Sequence, residues 1–200
     1  MAKVERSSTA EAVLGILDLN GGMSGYEIRR FMEDSTANFW SESFGQIYPT
    51  LKKLLDDGLI RTEETDGAGH PAKKKYRVTD AGSARLQKWL KVPAKASVPR
   101  NEFLLKLFFG GLAKPAEMRP QVEAWKAVAE NDLLRYEPML KELQMKFGKG
   151  PERPIDYPPL PYWLMTVRYG IAEAKMTVKW CNETLAELKR LDEEYVKRGA

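Results

Sequence analysis

The chain has 200 residues, 43% hydrophobic and 30% charged, with a formal net charge of +4. That is room for one or two domains with a sizeable core, in the composition of an ordinary globular protein. One cysteine excludes a disulfide framework and a cysteine-rich metal site, and one histidine, His70, excludes motifs built on paired histidines. A charge of +4 is only mildly basic, so any argument for nucleic acid rests on where the charge sits.

Catalysis finds little to work with. A nucleophile relay would have to use His70, which lies in a Gly/Pro turn beside three lysines. Gly21-Gly22 and Gly110-Gly111 read as helix ends rather than phosphate loops, so no enzyme, cofactor or metal is expected. No apolar run follows the basic N-terminal residues as in a signal peptide. No stretch is long and apolar enough for a membrane span. A reducing, cytoplasmic setting fits.

After a charged arm over 1–7, Ser8-Thr9-Ala10-Glu11 has capping-box spacing, with Ser8 as N-cap and Glu11 reaching back. Ala12, Val13, Ile16, Leu17 and Leu19 follow, and Asn20-Gly21-Gly22 stops this helix. Ser24-Gly25-Tyr26-Glu27 repeats the box, and Ile28, Phe31 and Met32 carry the apolar face of the second helix. A third helix opens near Gly45, because Pro49 lacks an N–H and suits a first turn. Ile47, Leu51, Leu54 and Leu55 line one side of it, and Gly58 closes it. Gln46, Pro49, Lys52 and Lys53 fall on the opposite side with Thr50 at its edge. Amide, hydroxyl and ammonium groups are the chemistry that reads base edges and phosphates. Three short helices joined by short turns make a helix-turn-helix unit.

The period then changes. Leu59 to Glu64 reads as a strand, 65–71 is dense in turn formers, and Lys73 to Val78 alternates as a second strand. Tyr76 and Val78 take one face, and Lys73, Lys75 and Arg77 the other. Eight Lys/Arg and one acid, Asp80, between 73 and 95 give a local charge of +7. A charge run is commonly a solvated face. Here it follows a helix-turn-helix pattern, where such a hairpin, a wing, meets the sugar-phosphate backbone. Thr79-Asp80-Ala81-Gly82 caps a fourth helix, with Leu86, Trp89 and Leu90 on its apolar side.

The run Phe39-Trp40, Phe44-Gly45-Gln46-Ile47-Tyr48-Pro49-Thr50-Leu51-Lys52-Lys53-Leu54, Gly58-Leu59-Ile60 resembles the PadR family of winged-helix transcriptional regulators. So does Gly69-His70-Pro71 with Lys75-Tyr76-Arg77-Val78-Thr79-Asp80-Ala81-Gly82. The resemblance covers about residues 8–92. It implies a homodimeric repressor of a pseudo-palindromic double-stranded operator. The third helix would enter the major groove and the wing would lie along the backbone or minor groove. Gln46, Thr50 and Lys53 are then the candidates for base edges or groove-edge phosphates. Ser43, Tyr48 and Lys52 would position the helix, and His70, Lys73, Lys74 and Lys75 would hold the wing. Some members respond to phenolic acids or other small aromatic ligands.

Residues 91–99 read as a linker, and Phe103–Phe109 as a short, buried docking helix. From Pro115, apolar residues recur at steps of three and four to Phe147, with a kink or break expected at Pro138. Five prolines between 148 and 161 mark an irregular connection. The last helix carries Leu164, Val167, Ile171, Ala174, Val178, Cys181, Leu185 and Leu188 at alternating steps of three and four, an a/d seam. Such a seam packs either on the helix at 115–147 or on a second copy. The second fits the long C-terminal helices of the longer PadR-like proteins and brings two reading heads to half-sites one helical turn apart. Aromatics at helical spacing are core by default. The alternative is an effector pocket using Trp125, Tyr162 and Trp163, with Arg168 or Lys175 pairing an aromatic carboxylate.

The expected fold is mainly α with a small β-hairpin. A winged helix-turn-helix domain occupies 1–92, a linker and docking helix 93–114, and a coiled-coil-like helical dimerisation and effector domain 115–200. The rival reading is a winged-helix protein–protein interaction module without sequence-specific DNA binding.

Overall fold

The computed structural model describes residues 8–36, 39–40, 44–65, 73–94, 100–148 and 159–199. The chain divides into two compact units, Met1–Ser97 and Val98–Ala200. The first holds α1 (Thr9–Asn20), α2 (Gly25–Ser35), α3 (Phe44–Asp56), β1 (Ile60–Thr65), β2 (Lys73–Val78) and α4 (Asp80–Leu90). The second holds α5 (Glu102–Phe108), a 3-10 turn at Gly110–Leu112, α6 (Pro115–Gly148) and α7 (Leu160–Gly199).

The first unit is built around α1. Val13, Leu14 and Leu17 are wholly buried, joined by Ile28 and Met32 of α2, Ile47, Leu51 and Leu54 of α3, Ile60 of β1 and Leu86 of α4. Each fully buried aliphatic side chain contributes on the order of 1.5–3 kcal/mol. At the start of α2 the capping box forms as its spacing implies. The Glu27 N–H donates to Ser24 Oγ (3.3 Å), and the Ser24 N–H donates to Glu27 Oε2 (2.7 Å). At α1 it does not form, because Ser8 makes no side-chain cap bond. Glu11 is buried and accepts from Arg85 of α4 at 3.1 and 2.7 Å instead. A carboxylate facing the core is worth more to a guanidinium across the fold than to its own helix end.

Pro49 sits inside α3, one turn beyond the expected first turn, because α3 begins at Phe44. The helix ends on Gly58 in left-handed backbone (φ 69°), with the Leu59 N–H donating to the Leu54 carbonyl and the Gly58 N–H to the Leu55 carbonyl, both 2.9 Å. This double bond pattern is a Schellman cap, and it turns the chain straight into β1. β1 and β2 pair antiparallel with Ile60 opposite Val78 and Thr62 opposite Tyr76. Met23 adds a bridge to Tyr76 (3.0 and 2.7 Å), so the α1–α2 turn braces the hairpin.

Thr79 caps α4 by accepting the Gly82 N–H (3.2 Å), while its hydroxyl donates to the Gly58 carbonyl (2.9 Å). A Cβ on Gly82 would lie 2.1 Å from the Leu59 carbonyl oxygen. Only glycine lets the start of α4 lie directly on the turn between α3 and the wing. Of the three apolar α4 positions expected inside, Leu86 is buried, whereas Trp89 and Leu90 are exposed.

In the second unit α6 and α7 form an antiparallel hairpin. Met118 and Val122 meet Cys181 and Leu188 at one end, and Tyr136 lies on Gly170 at the other, where an added Cβ would come within 3.0 Å of the ring. Lys175 bridges to Glu137 across the pair (3.0 Å). Of the kink or break expected at Pro138, no break occurs: α6 is continuous through it. Within the second unit α5 buries Phe103, and Leu104, Leu105, Phe108 and Phe109 are exposed. Among the described residues no helix is long and apolar enough to cross a membrane, and no cluster of His, Cys, Asp or Glu could hold a metal ion.

Candidate nucleic-acid interface

The outward face of α3 is polar and open. Gln46, Tyr48, Pro49, Lys52 and Lys53 are exposed, and Thr50 is half-buried at the margin. Ile47, Leu51 and Leu54 anchor the opposite face in the core, so the register of the outward side chains is fixed by packing. One edge is held further. The Tyr48 ring crosses Gly25 at the first turn of α2, where a Cβ would meet Tyr48 Cε1 at 2.8 Å.

The wing follows α3 with no slack, since only a few residues around Gly58 and Leu59 separate the two elements. Lys74 and Lys75 of β2 are exposed and half-buried respectively, and the Lys74 ammonium lies 5.6 Å from the centre of the Tyr76 ring. Lys73 pairs with Thr65 in the ladder. Ser43 and His70 lie outside the described residues.

The arginines of the basic tract behave differently from its lysines. Arg77 and Arg61 both bond Glu63 at 3.0 Å, and the Arg77 guanidinium packs against Gly21 and Gly22. Arg61, then Arg77, hold the Glu63 carboxyl below its ordinary range. Arg85 is engaged by Glu11. The count of +7 between 73 and 95 includes both Arg77 and Arg85. It cannot see Glu11 and Glu63, which the fold brings in from other elements. The charge offered outward is therefore mainly lysine: Lys74 and Lys75 on the wing, Lys52 and Lys53 on α3, and Lys88 and Lys91 at the end of α4.

In the second unit the a/d seam faces inward. Ala174, Cys181 and Leu188 are closed off against α6 within one chain, and Leu164, Val167, Ile171, Val178 and Leu185 are half-buried along the same line. Burial raises the Cys181 thiol pKa above its ordinary value. The seam thus meets α6 within the chain at its buried positions, while its half-buried positions keep part of their surface open. In the first half of α7 the exposed apolar residues Tyr162, Met165, Tyr169 and Met176 lie on another stripe, and Leu191, Tyr195 and Val196 are exposed nearer its end.

Trp125, Tyr162, Trp163 and Arg168, considered for an effector, are not brought together. Trp125 stacks on Phe103 (4.9 Å between ring centres), and Phe103 meets Trp180 edge-on (6.0 Å). At about 1.5 Å per helical residue, Trp163 lies about 25 Å along α7 from Trp180 and Arg168 about 18 Å. One small aromatic acid cannot span Trp125 and the Tyr162–Arg168 end. Phe103 escapes a reading of the long helices as the partner of Trp125 because it belongs to α5, outside their periodic pattern.

A helix-turn-helix whose third helix passes through one glycine-capped turn into a basic two-stranded wing defines a winged-helix DNA-binding unit. Residues 13–88 match the "Transcriptional regulator PadR-like family" and residues 99–189 match "Virulence activator alpha C-term". The chain therefore carries a PadR-like family domain followed by a virulence-activator C-terminal domain, and the PadR-like family is one of transcriptional regulators, not of enzymes. The chain is 29% identical over 185 residues to the "Negative transcriptional regulator PadR" of Bacillus subtilis, covering 90% of this chain and 96% of that one. The structure of Bacillus subtilis PadR in complex with operator DNA superposes with a TM-score of 0.78 at 26% identity, covering 92% of this chain and 99% of that one. The structure of the same protein in complex with p-coumaric acid gives 0.72 at 25% identity, covering 94% and 99%.

Proposed function

We propose that the chain is a cytoplasmic, homodimeric repressor that binds a pseudo-palindromic operator and is released by a small aromatic effector. One observation carries the DNA reading: α3 presents an open polar face in a register fixed by its buried side, and the wing is joined to its end by a short, capped turn. Gln46, Thr50 and Lys53 face base edges or groove-edge phosphates. Ser43, Tyr48 and Lys52 position α3 on the backbone, and His70, Lys73, Lys74 and Lys75 hold the wing. Arg77 and Arg85 brace the fold instead.

Similarity to a regulator seen with operator DNA and with p-coumaric acid supports both ligand classes. Dimerisation uses the exposed α7 stripe, with Met165, Tyr169 and Met176 meeting a second copy, since the a/d seam is already packed on α6. The effector shifts the spacing of the two reading heads, and it acts only by binding one spacing better than the other.

The test is binding to a duplex carrying the chain's own upstream promoter across a salt series. Lys74→Ala with Lys75→Ala should weaken cognate and random duplex alike and flatten the log–log salt slope, by roughly 0.9 for each phosphate no longer neutralised. An unchanged slope rejects the wing assignment. No binding by the unaltered chain at low salt favours a protein-interaction module.

A further inference from the structure

Tyr48 and Gly25 form a coupled pair that the periodicity of α3 does not reveal. Gly25 is the first residue of α2, follows the Ser24 cap and is buried. A helix start tolerates many residues, so glycine here needs a reason. The reason is on α3. A Cβ at this position would lie 2.8 Å from Tyr48 Cε1 and 3.2 Å from Tyr48 Cζ. Leu51 Cδ1 would be met at 3.4 Å, an ordinary contact. The ring rests on bare backbone at its outer end, so the phenol hydroxyl is carried to the first turn of α2. The side chain nevertheless remains 60% exposed, with the rest of it open to a ligand.

We propose that Gly25 is a positioning residue for DNA binding: it seats the Tyr48 ring so that the phenol hydroxyl donates to a backbone phosphate flanking the groove occupied by α3. The proposal rests on the reading of α3 as the DNA-reading helix. A tyrosine swinging freely on a surface would lose rotamer freedom on binding, whereas one already seated against α2 loses little. A hydroxyl brings a directional bond but no cation, so it does not add to the counterion release that the lysines drive.

Gly25→Ala separates this role from a structural one. The added methyl meets the far end of an exposed ring, which swings aside while α2 and α3 keep their places. In the full-length protein Gly25→Ala and Tyr48→Phe should each weaken binding to the upstream promoter duplex about tenfold, the effect of removing one hydrogen bond to a charged oxygen. Neither should change the salt slope or the thermal midpoint appreciably. In a Tyr48→Ala background Gly25→Ala should cost less than about twofold more, since two changes acting through one contact do not add. Wild-type affinity in Gly25→Ala overturns the inference. So does an equal further loss in the Tyr48→Ala background, or a flattened salt slope, because either means that α3 itself has shifted. Lys53→Ala is the control: if it weakens binding while Gly25→Ala does not, only this inference fails. If the unaltered chain binds no duplex, the reading beneath it fails too.

Discussion

Gly82→Ala tests the link between the reading helix and the wing. The new Cβ would sit 2.1 Å from the Leu59 carbonyl oxygen and 2.7 Å from Val78 Cγ2. The first of these is backbone and cannot rotate away. That same oxygen accepts the Thr79 N–H at 3.1 Å, and Thr79 caps α4 and bonds the Gly58 carbonyl. Relief of the clash therefore costs packing strain of about 1–3 kcal/mol. It also costs one backbone hydrogen bond, about 1 kcal/mol. Together these are about 2–4 kcal/mol, a large part of the stability of a domain this size. With a urea slope of about 1–1.5 kcal/mol per molar for such a unit, the midpoint of its transition should fall by about 2 M. The assay is urea unfolding of the full-length chain, followed by hydrogen exchange on β1 and β2 peptides so that the transition is assigned to the first unit. A midpoint within a few tenths molar of wild type would refute the claim that α4 clamps the turn between α3 and the wing.

Two further outcomes follow from ion pairs that the fold assembles. Arg85→Ala leaves Glu11 buried without its guanidinium and should cost about 1–2 kcal/mol, discounted because Arg85 is partly exposed. Because its charge is already engaged, the salt slope of DNA binding should stay as in wild type, and a flattened slope would place Arg85 on DNA instead. Glu63→Gln frees Arg61 and Arg77 from their shared acid, so affinity for random duplex should rise in a filter-binding assay; a fall would mean that the three-residue bridge shapes the wing. Its pKa is depressed in the folded chain, so the stabilisation is complete above the ordinary carboxylate value of 4.5 and is lost as pH falls below it. Thermal midpoints of wild type and Glu63→Gln should therefore converge on acidification, and a constant gap would sink that account.

Elements with one strong local signal were legible from sequence. The amphipathic period of α3, the glycine after it, the alternation of β2 and the Ser24–Glu27 box each specify their own geometry within a few residues, and each forms. Where two local rules competed for one residue, the fold decided. Glu11 has the spacing of a capping acid, yet it points into the core and takes Arg85 across the unit. No window of four residues contains that information. The same applies to Arg77, which alternates as a wing cation should but is fixed on Glu63 and the Gly21–Gly22 turn. Counting charge along the chain therefore overstates what DNA would feel, and overstates it at the arginines, whose planar fork makes them the better partners for an acid within the fold.

The seam of α7 shows the complementary limit. Its spacing fixes which residues share a face but not what that face meets, because an intrachain helix and a second copy offer the same apolar surface. Complementarity between small residues and large ones opposite them distinguishes the two partners. Gly170 opposite Tyr136 supplies that complementarity inside the chain, as does Cys181 beside Val122. The remaining apolar stripe, Met165, Tyr169 and Met176, follows a helical period too, but it is interrupted by charged neighbours and is harder to read as an interface. Once the inner seam is assigned to α6, that outer stripe becomes the surface whose exposure needs explaining. A two-fold contact there leaves the α6–α7 hairpin intact and covers side chains that α6 does not reach.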